Sequence, residues 1–160
     1  MLVAFVFLLA YGFGKPAILQ TPLLGSTAPS FALRSTSGQV VRLSNLHGHP
    51  VVVNFFASWC VSCRADESNL VRVSRRFGSR VRFVGIIFED SGRAAADFTR
   101  QRGGAWPDLV DPGGRTAVAY GVTGIPETFF INSRGVVKAH SVSLSSSALR
   151  NGIATILRSS

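Results

Sequence analysis

Cysteine is nearly absent from this chain: its 160 residues contain two, Cys60 and Cys63. One pair cannot build the framework of a disulfide-stapled secreted fold. Histidine is scarce too. There are three, and Arg rather than His follows the second Cys, which excludes the C-x-x-C-H attachment of a c-type haem. Acidic residues number eight against 17 basic ones, and among the latter only Lys15 and Lys138 are lysine. No strongly apolar run reaches the ~20 residues that a membrane-spanning helix needs.

What is present suits one globular domain. The length is enough for a single core, and 46% hydrophobic residues with seven scattered prolines argue against a disordered chain. The net charge of +9 is carried mostly by dispersed arginines, denser at Arg72, Arg75, Arg76, Arg80 and Arg82. No aromatic-studded basic motif accompanies them, so a solvated basic face is favoured and no nucleic acid is expected. An acidic partner or an anionic membrane surface is the remaining reading.

Met1–Gly14 holds no charge and is rich in Leu, Val, Phe and Ala. No basic residue precedes it and no A-x-A-like site follows, so it reads as a short signal-anchor rather than a cleaved signal, with a buried core helix as the alternative. Residues 15–24 read as a tether and 25–160 as the domain. Phe31–Leu33 and Val40–Leu43 flank Ser37-Gly38 as a hairpin. The continuous apolar runs Val51–Phe56 and Val81–Phe88 predict strands covered on both faces. Leu70, Val73 and Phe77 recur at helical spacing up to Gly78, and Asp90 or Ser91 caps a second helix through Arg102. Glu89 and Asp90 are read there as capping residues. A short strand at Trp106–Val110, a helix at Arg115–Tyr120, a hairpin of Glu127–Ile131 with Val136–His140, and a helix from about Ser145 complete an α/β sandwich around a mixed sheet.

The two cysteines sit where the first buried strand gives way to the first long helix. If that helix starts near Cys60, its sulfur lies among unpaired N–H groups at the positive end of the helix dipole. That favours thiolate, the attacking species. Cys63, one turn deeper, is placed to attack the mixed disulfide and release the partner. Cys60 is therefore the expected nucleophile and Cys63 the resolving thiol, with no cofactor beyond their own disulfide. A zinc site recruiting His47 and His49 is disfavoured because these precede the strand that the cysteines follow, so no metal is expected. An inert pair of buried thiols is the other competing reading.

Three separated segments then resemble one family. Val53-Asn54-Phe55-Phe56-Ala57-Ser58-Trp59-Cys60-Val61-Ser62-Cys63-Arg64 resembles the active-site segment of membrane-anchored thioredoxin-like proteins. Gly25–Leu33 resembles their leading segment, and Gly121–Ile131 their cis-proline segment. The similarity is to the thiol:disulfide reductases of cytochrome c maturation (DsbE/CcmG type), with the TlpA/ResA group next. It implies a thioredoxin fold with an added N-terminal hairpin and a cis peptide at Ile125–Pro126 beside the dithiol. It also implies a client-binding rim that includes Trp59, Ile125, Pro126 and Glu127. Relatives often carry Pro between the cysteines, where this chain has Val61-Ser62, and Glu three residues past the second Cys, where it has Asp66 followed by Glu67. Asp66 and Glu67 are both candidates for proton transfer to Cys63, with a solvated carboxylate as the alternative for each.

No cation or His stands between the cysteines, and two carboxylates follow them, so thiolate is not over-stabilised and a reducing couple is expected. The expected reaction is reduction of disulfides in extracytoplasmic clients, by resemblance apocytochrome c or a protein that handles it. Re-reduction would come from a membrane carrier of the CcdA/DsbD kind. The expected location is the cytoplasmic membrane, with the domain facing the periplasm or extracytoplasmic space. A general disulfide oxidant of DsbA-like role is the alternative. A peroxiredoxin shares the Ala-Pro-x-Phe start but needs Thr three residues before its Cys, and a metal chaperone needs a C-x-x-x-C spacing; neither is present.

Overall fold

The computed structural model describes residues 21–160. The expected anchor, 1–14, and the tether as far as Gln20 lie outside the described residues. In chain order the elements are β1 (Ala32–Ser35), β2 (Val40–Arg42), β3 (Val51–Phe56), α1 (Val61–Phe77), β4 (Arg82–Ile87), α2 (Gly92–Gln101), β5 (Asp108–Val110), α3 (Arg115–Tyr120), β6 (Glu127–Ile131), β7 (Val137–Ser141) and α4 (Ser146–Arg158). The seven strands form one sheet in the order β2-β1-β5-β4-β3-β6-β7. Strands β3, β4 and β5 run parallel, while β6 pairs antiparallel with β3, and β1 antiparallel with β5. This is the thioredoxin fold, with the β1–β2 hairpin extending one edge.

The continuous apolar run of β3 is explained by its place: all six of its residues are buried, because helices cover both faces of the sheet. Alternation sorts its side chains. Val51, Val53 and Phe55 join Val84, Ile86, Phe129 and Tyr120 on the face covered by α3 and the leading segment. Val52 joins Leu70, Phe130, Leu149 and Ile153 on the face covered by α1 and α4. Phe56 lies beside Ile87, Ala95, Phe98 and both cysteines in a third cluster closed by α1 and α2.

Boundaries differ from expectation where a proline intervenes. Strand β5 begins at Asp108 rather than Trp106, because Pro107 has no N–H for the ladder; its carbonyl instead accepts from the Gly85 N–H. Helices α2 and α4 are capped by side-chain oxygens: Ser91 Oγ accepts the Ala94 N–H and Ser145 Oγ the Ala148 N–H. Leu149, Ile153 and Ile156 of α4 are buried as expected, while Leu157 is half-buried. Among the described residues, no helix is long and apolar enough to cross a membrane.

Candidate active site

The end of β3 delivers the chain directly into the N-terminus of α1. Cys60 is the N-cap residue, in extended conformation (φ −73°, ψ 115°), and its sulfur accepts the Cys63 N–H at 3.0 Å. One unpaired donor of the helix start is thus aimed at the Cys60 sulfur, the arrangement that stabilises a thiolate there. The two cysteines are joined as a disulfide, with Cα atoms 5.2 Å apart. Cys63 is fully buried and Cys60 retains 4% exposure, so an incoming group reaches Cys60 first.

Facing the dithiol is the loop between α3 and β6. The Ile125–Pro126 peptide is cis, and the Ile125 carbonyl oxygen lies 3.8 Å from Cys60 Sγ. Glu127 holds this loop. Its Oε1 accepts the backbone N–H of Thr123 at 2.9 Å and of Gly124 at 3.2 Å, and its Oε2 lies 2.9 Å from His140 Nε2 on β7. Glu127 is buried, and both its carboxylate oxygens are engaged in holding the loop to β7. His140 has no counterpart in the expected site. It reaches Glu127 because β6 and β7 are paired, with Phe129 opposite His140.

Behind Cys63 the two candidate carboxylates part ways. Asp66 is half-buried near the surface, whereas Glu67, one turn beyond Cys63 on the same helix, is 2% exposed. Glu67 faces Asp108, itself buried, at the start of β5. Glycine at position 85 makes room for this second carboxyl: a Cβ there would stand 2.6 Å from Asp108 Oδ1 and 2.7 Å from the Phe56 ring. Glu67 Oε2, Asp108 Oδ1 and Thr99 Oγ1 are all buried without hydrogen-bond partners. Burial, and then the neighbouring Asp108 charge, push the Glu67 carboxyl up to about 7, against a downward pull from Arg102. Burial pushes Asp108 up to about 6. Two carboxyls facing each other in an apolar layer resist losing both protons, so the pair keeps one well above the ordinary carboxylate range.

The rim of the site is apolar. Trp59 is 54% exposed, with its Nε1–H donating to the Glu89 carbonyl at 3.1 Å, and Val61 and Val118 stand out as exposed apolar side chains. Glu89 and Asp90 do not cap α2, which Ser91 caps. Asp90 instead accepts the Ser58 N–H at 2.7 Å through Oδ2 and the Ser91 N–H through Oδ1, tying the cysteine turn to the end of β4. Capping was the local reading; the actual partner, Ser58, lies just past the end of the parallel neighbouring strand β3, which short-range patterns do not show. His47 and His49 are exposed, at the opposite end of β3 from the cysteines. Among the described residues, no group of three or more His, Cys, Asp or Glu side chains is arranged to hold a metal ion.

Residues 24–140 match the AhpC/TSA family. The chain belongs to that family. Within it, the chain is of the DsbE/ResA type. It is 35% identical over 124 residues to the thiol:disulfide interchange protein DsbE of Xylella fastidiosa (strain Temecula1), covering 76% of this chain and 62% of that protein. It is 33% identical over 125 residues to the thiol-disulfide oxidoreductase ResA of Bacillus subtilis, covering 78% of this chain and 68% of ResA. Among solved structures, a putative thiol:disulfide interchange protein DsbE from Chlorobium tepidum superposes with a TM-score of 0.75 at 29% identity, covering 84% of this chain and 96% of the other. This member of the AhpC/TSA family therefore pairs a thioredoxin fold with a C-x-x-C disulfide at a helix N-terminus.

Proposed function

We propose that this chain is a membrane-tethered thiol:disulfide reductase that opens disulfides of apocytochrome c or related clients outside the cytoplasm. The observation that carries the reading is the Cys60–Cys63 pair at the start of α1, opposite the Ile125 carbonyl. In the reduced protein the Cys60 thiolate attacks one sulfur of a client disulfide. A Cys60–client bond forms, the client S–S bond breaks, and the departing client thiolate takes up a proton. Cys63 then loses its proton and attacks Cys60 Sγ, closing the intramolecular disulfide and releasing the second client thiolate. Two electrons pass to the client, and a membrane dithiol carrier of the CcdA/DsbD kind restores the Cys60–Cys63 dithiol.

Glu67 is the acceptor we assign to the Cys63 proton. It is buried on the same helix face as Cys63, and its raised pKa lets it exchange a proton near neutral pH. Asp108 tunes it. Asp66, nearer solvent, is the poorer candidate. Trp59, Ile125 and Pro126 form the surface against which the client backbone lies, with Glu127 holding the loop behind them. The apocytochrome client, the cytoplasmic-membrane location and the periplasmic orientation rest on resemblance to the DsbE group and on the apolar stretch Met1–Gly14.

Trapping tests the reading. With Cys63→Ser, Cys60 has no resolving partner, so the reduced variant is expected to accumulate a mixed disulfide with a peptide bearing an oxidised C-x-x-C-H segment. Failure to trap that peptide, with wild type leaving its disulfide intact, would contradict it.

A further inference from the structure

Two residues separate the cysteines, and they meet different surroundings. Val61 opens α1 and is 80% exposed, with nothing polar to offer the sulfurs. Ser62 follows in the first turn, and its Oγ lies 3.4 Å from Cys60 Sγ. Among the described residues that hydroxyl has no other hydrogen-bond partner. Three polar groups thus stand around the Cys60 sulfur. The Cys63 N–H, 3.0 Å away, is a donor fixed by the helix. The Ile125 carbonyl oxygen, 3.8 Å away, is an acceptor and cannot stabilise negative charge. The Ser62 hydroxyl alone can rotate its proton toward the sulfur or away from it.

What the hydroxyl meets there depends on the redox state. In the disulfide, Cys60 Sγ is uncharged and a weak acceptor. In the dithiol, the helix start favours a thiolate on the same atom. A charged acceptor makes a hydrogen bond roughly twice as strong as a neutral one. The contact therefore stabilises the reduced form more than the oxidised form. The ionisable side chains of the surrounding elements are otherwise placed. On α1, Arg64 is exposed, Asp66 is half-buried and Glu67 is buried facing Asp108. After β4, Glu89 is exposed and Asp90 holds the Ser58 N–H, while Glu127 of β6 holds the cis-proline loop. None of them bonds to the Cys60 sulfur, and the first turn of α1 has no acidic side chain to compete for the Ser62 proton.

We propose that Ser62 is a catalytic residue of the exchange reaction, its hydroxyl donating a hydrogen bond to Cys60 Sγ when that sulfur is a thiolate. The assignment rests on the reading of Cys60 as the attacking thiol and is independent of which client is reduced. The hydroxyl acts at two points of the cycle. Before attack, it enlarges the thiolate fraction of Cys60. During restoration of the dithiol, the carrier's second thiolate attacks the carrier sulfur bonded to Cys60. The carrier disulfide forms, the Cys60–carrier bond breaks, and Cys60 leaves with the electron pair beside the Ser62 donor. A neutral hydroxyl biases the couple less than a cation or His at the same place would, so the couple remains a reducing one.

Titration of the Cys60 thiol in the full chain tests this. With Cys63→Ala, Cys60 is the only thiol, and its rate of alkylation by iodoacetamide against pH reports its thiolate fraction. Adding Ser62→Ala is expected to raise the midpoint by about 0.5–1 pH unit, a roughly three- to tenfold loss of acidity. Ser62→Thr, which keeps the hydroxyl, should leave the midpoint in place. With both cysteines present, Ser62→Ala should move the equilibrium with glutathione toward the disulfide by the same factor above that midpoint. Below it the shift should fade, because Cys60 is then a neutral thiol in both proteins. Circular dichroism of the variants should match wild type, so that a moved midpoint reports the sulfur and not the fold. An unmoved midpoint in Ser62→Ala, or an equal rise in Ser62→Thr, would overturn the assignment. A Cys60 that is alkylated in none of these proteins would overturn the attacking-thiol reading along with it.

Discussion

At the scale of single residues, the least expected feature is the buried pair Glu67–Asp108. A carboxyl raised by burial binds its proton more tightly folded than unfolded. Between the unfolded value near 4.5 and the folded value of about 7, the unfolded state holds fewer protons, so stability falls as pH rises through that window. The cost at and above pH 7 is on the order of 3 kcal/mol for Glu67. Glu67→Gln is therefore expected to raise stability at pH 8 by on the order of 1–3 kcal/mol and to change it little at pH 4. Denaturant titrations at the two pH values check this, and parallel wild-type and variant profiles would contradict it. The same variant should slow resolution of the mixed disulfide and flatten its pH profile near neutrality. Glu67 was visible in the sequence as a carboxylate one turn past Cys63. Asp108 was not, because a strand-start residue after Pro reveals nothing about which helix packs over it.

Among the elements, those with strong periodicity were legible. Strand β3, helix α1 and the short helix α3 fall where apolar runs and Gly punctuation place them, because burial on both faces, or on one stripe, dictates such patterns. Contacts between elements were not legible: Asp90 reaching Ser58, and His140 reaching Glu127, follow from strand order. Glu127→Ala should loosen the cis-proline loop by leaving the Thr123 and Gly124 N–H groups without their acceptor, at a cost of about 1–3 kcal/mol. Exchange with a peptide disulfide should then fall more than exchange with a small disulfide, which does not use the loop. Equal loss with both substrates would contradict this. Packing of α4 gives a further test. A Cβ at Gly152 would collide with the Phe130 ring, so Gly152→Ala should destabilise the protein by about 1–3 kcal/mol in thermal unfolding while leaving the redox potential unchanged.

For the whole molecule, the fold class was readable because three short motifs in order resemble one family. The placement of the carboxyls was hidden in composition, which reports +9 without saying that Glu67 and Asp108 are buried together. That placement also bears on the direction of electron flow. The helix start favours a Cys60 thiolate, but no cation stands between the cysteines, and buried carboxyls lie behind Cys63. The balance leaves the disulfide form comparatively stable, which is what a reductase requires. The most direct test is the reduction potential of the Cys60–Cys63 couple in the full chain, equilibrated against dithiothreitol or glutathione. A value near that of thioredoxin, about −270 mV, is predicted; a value near that of DsbA, about −120 mV, would make the protein a disulfide donor and contradict the reductase proposed above.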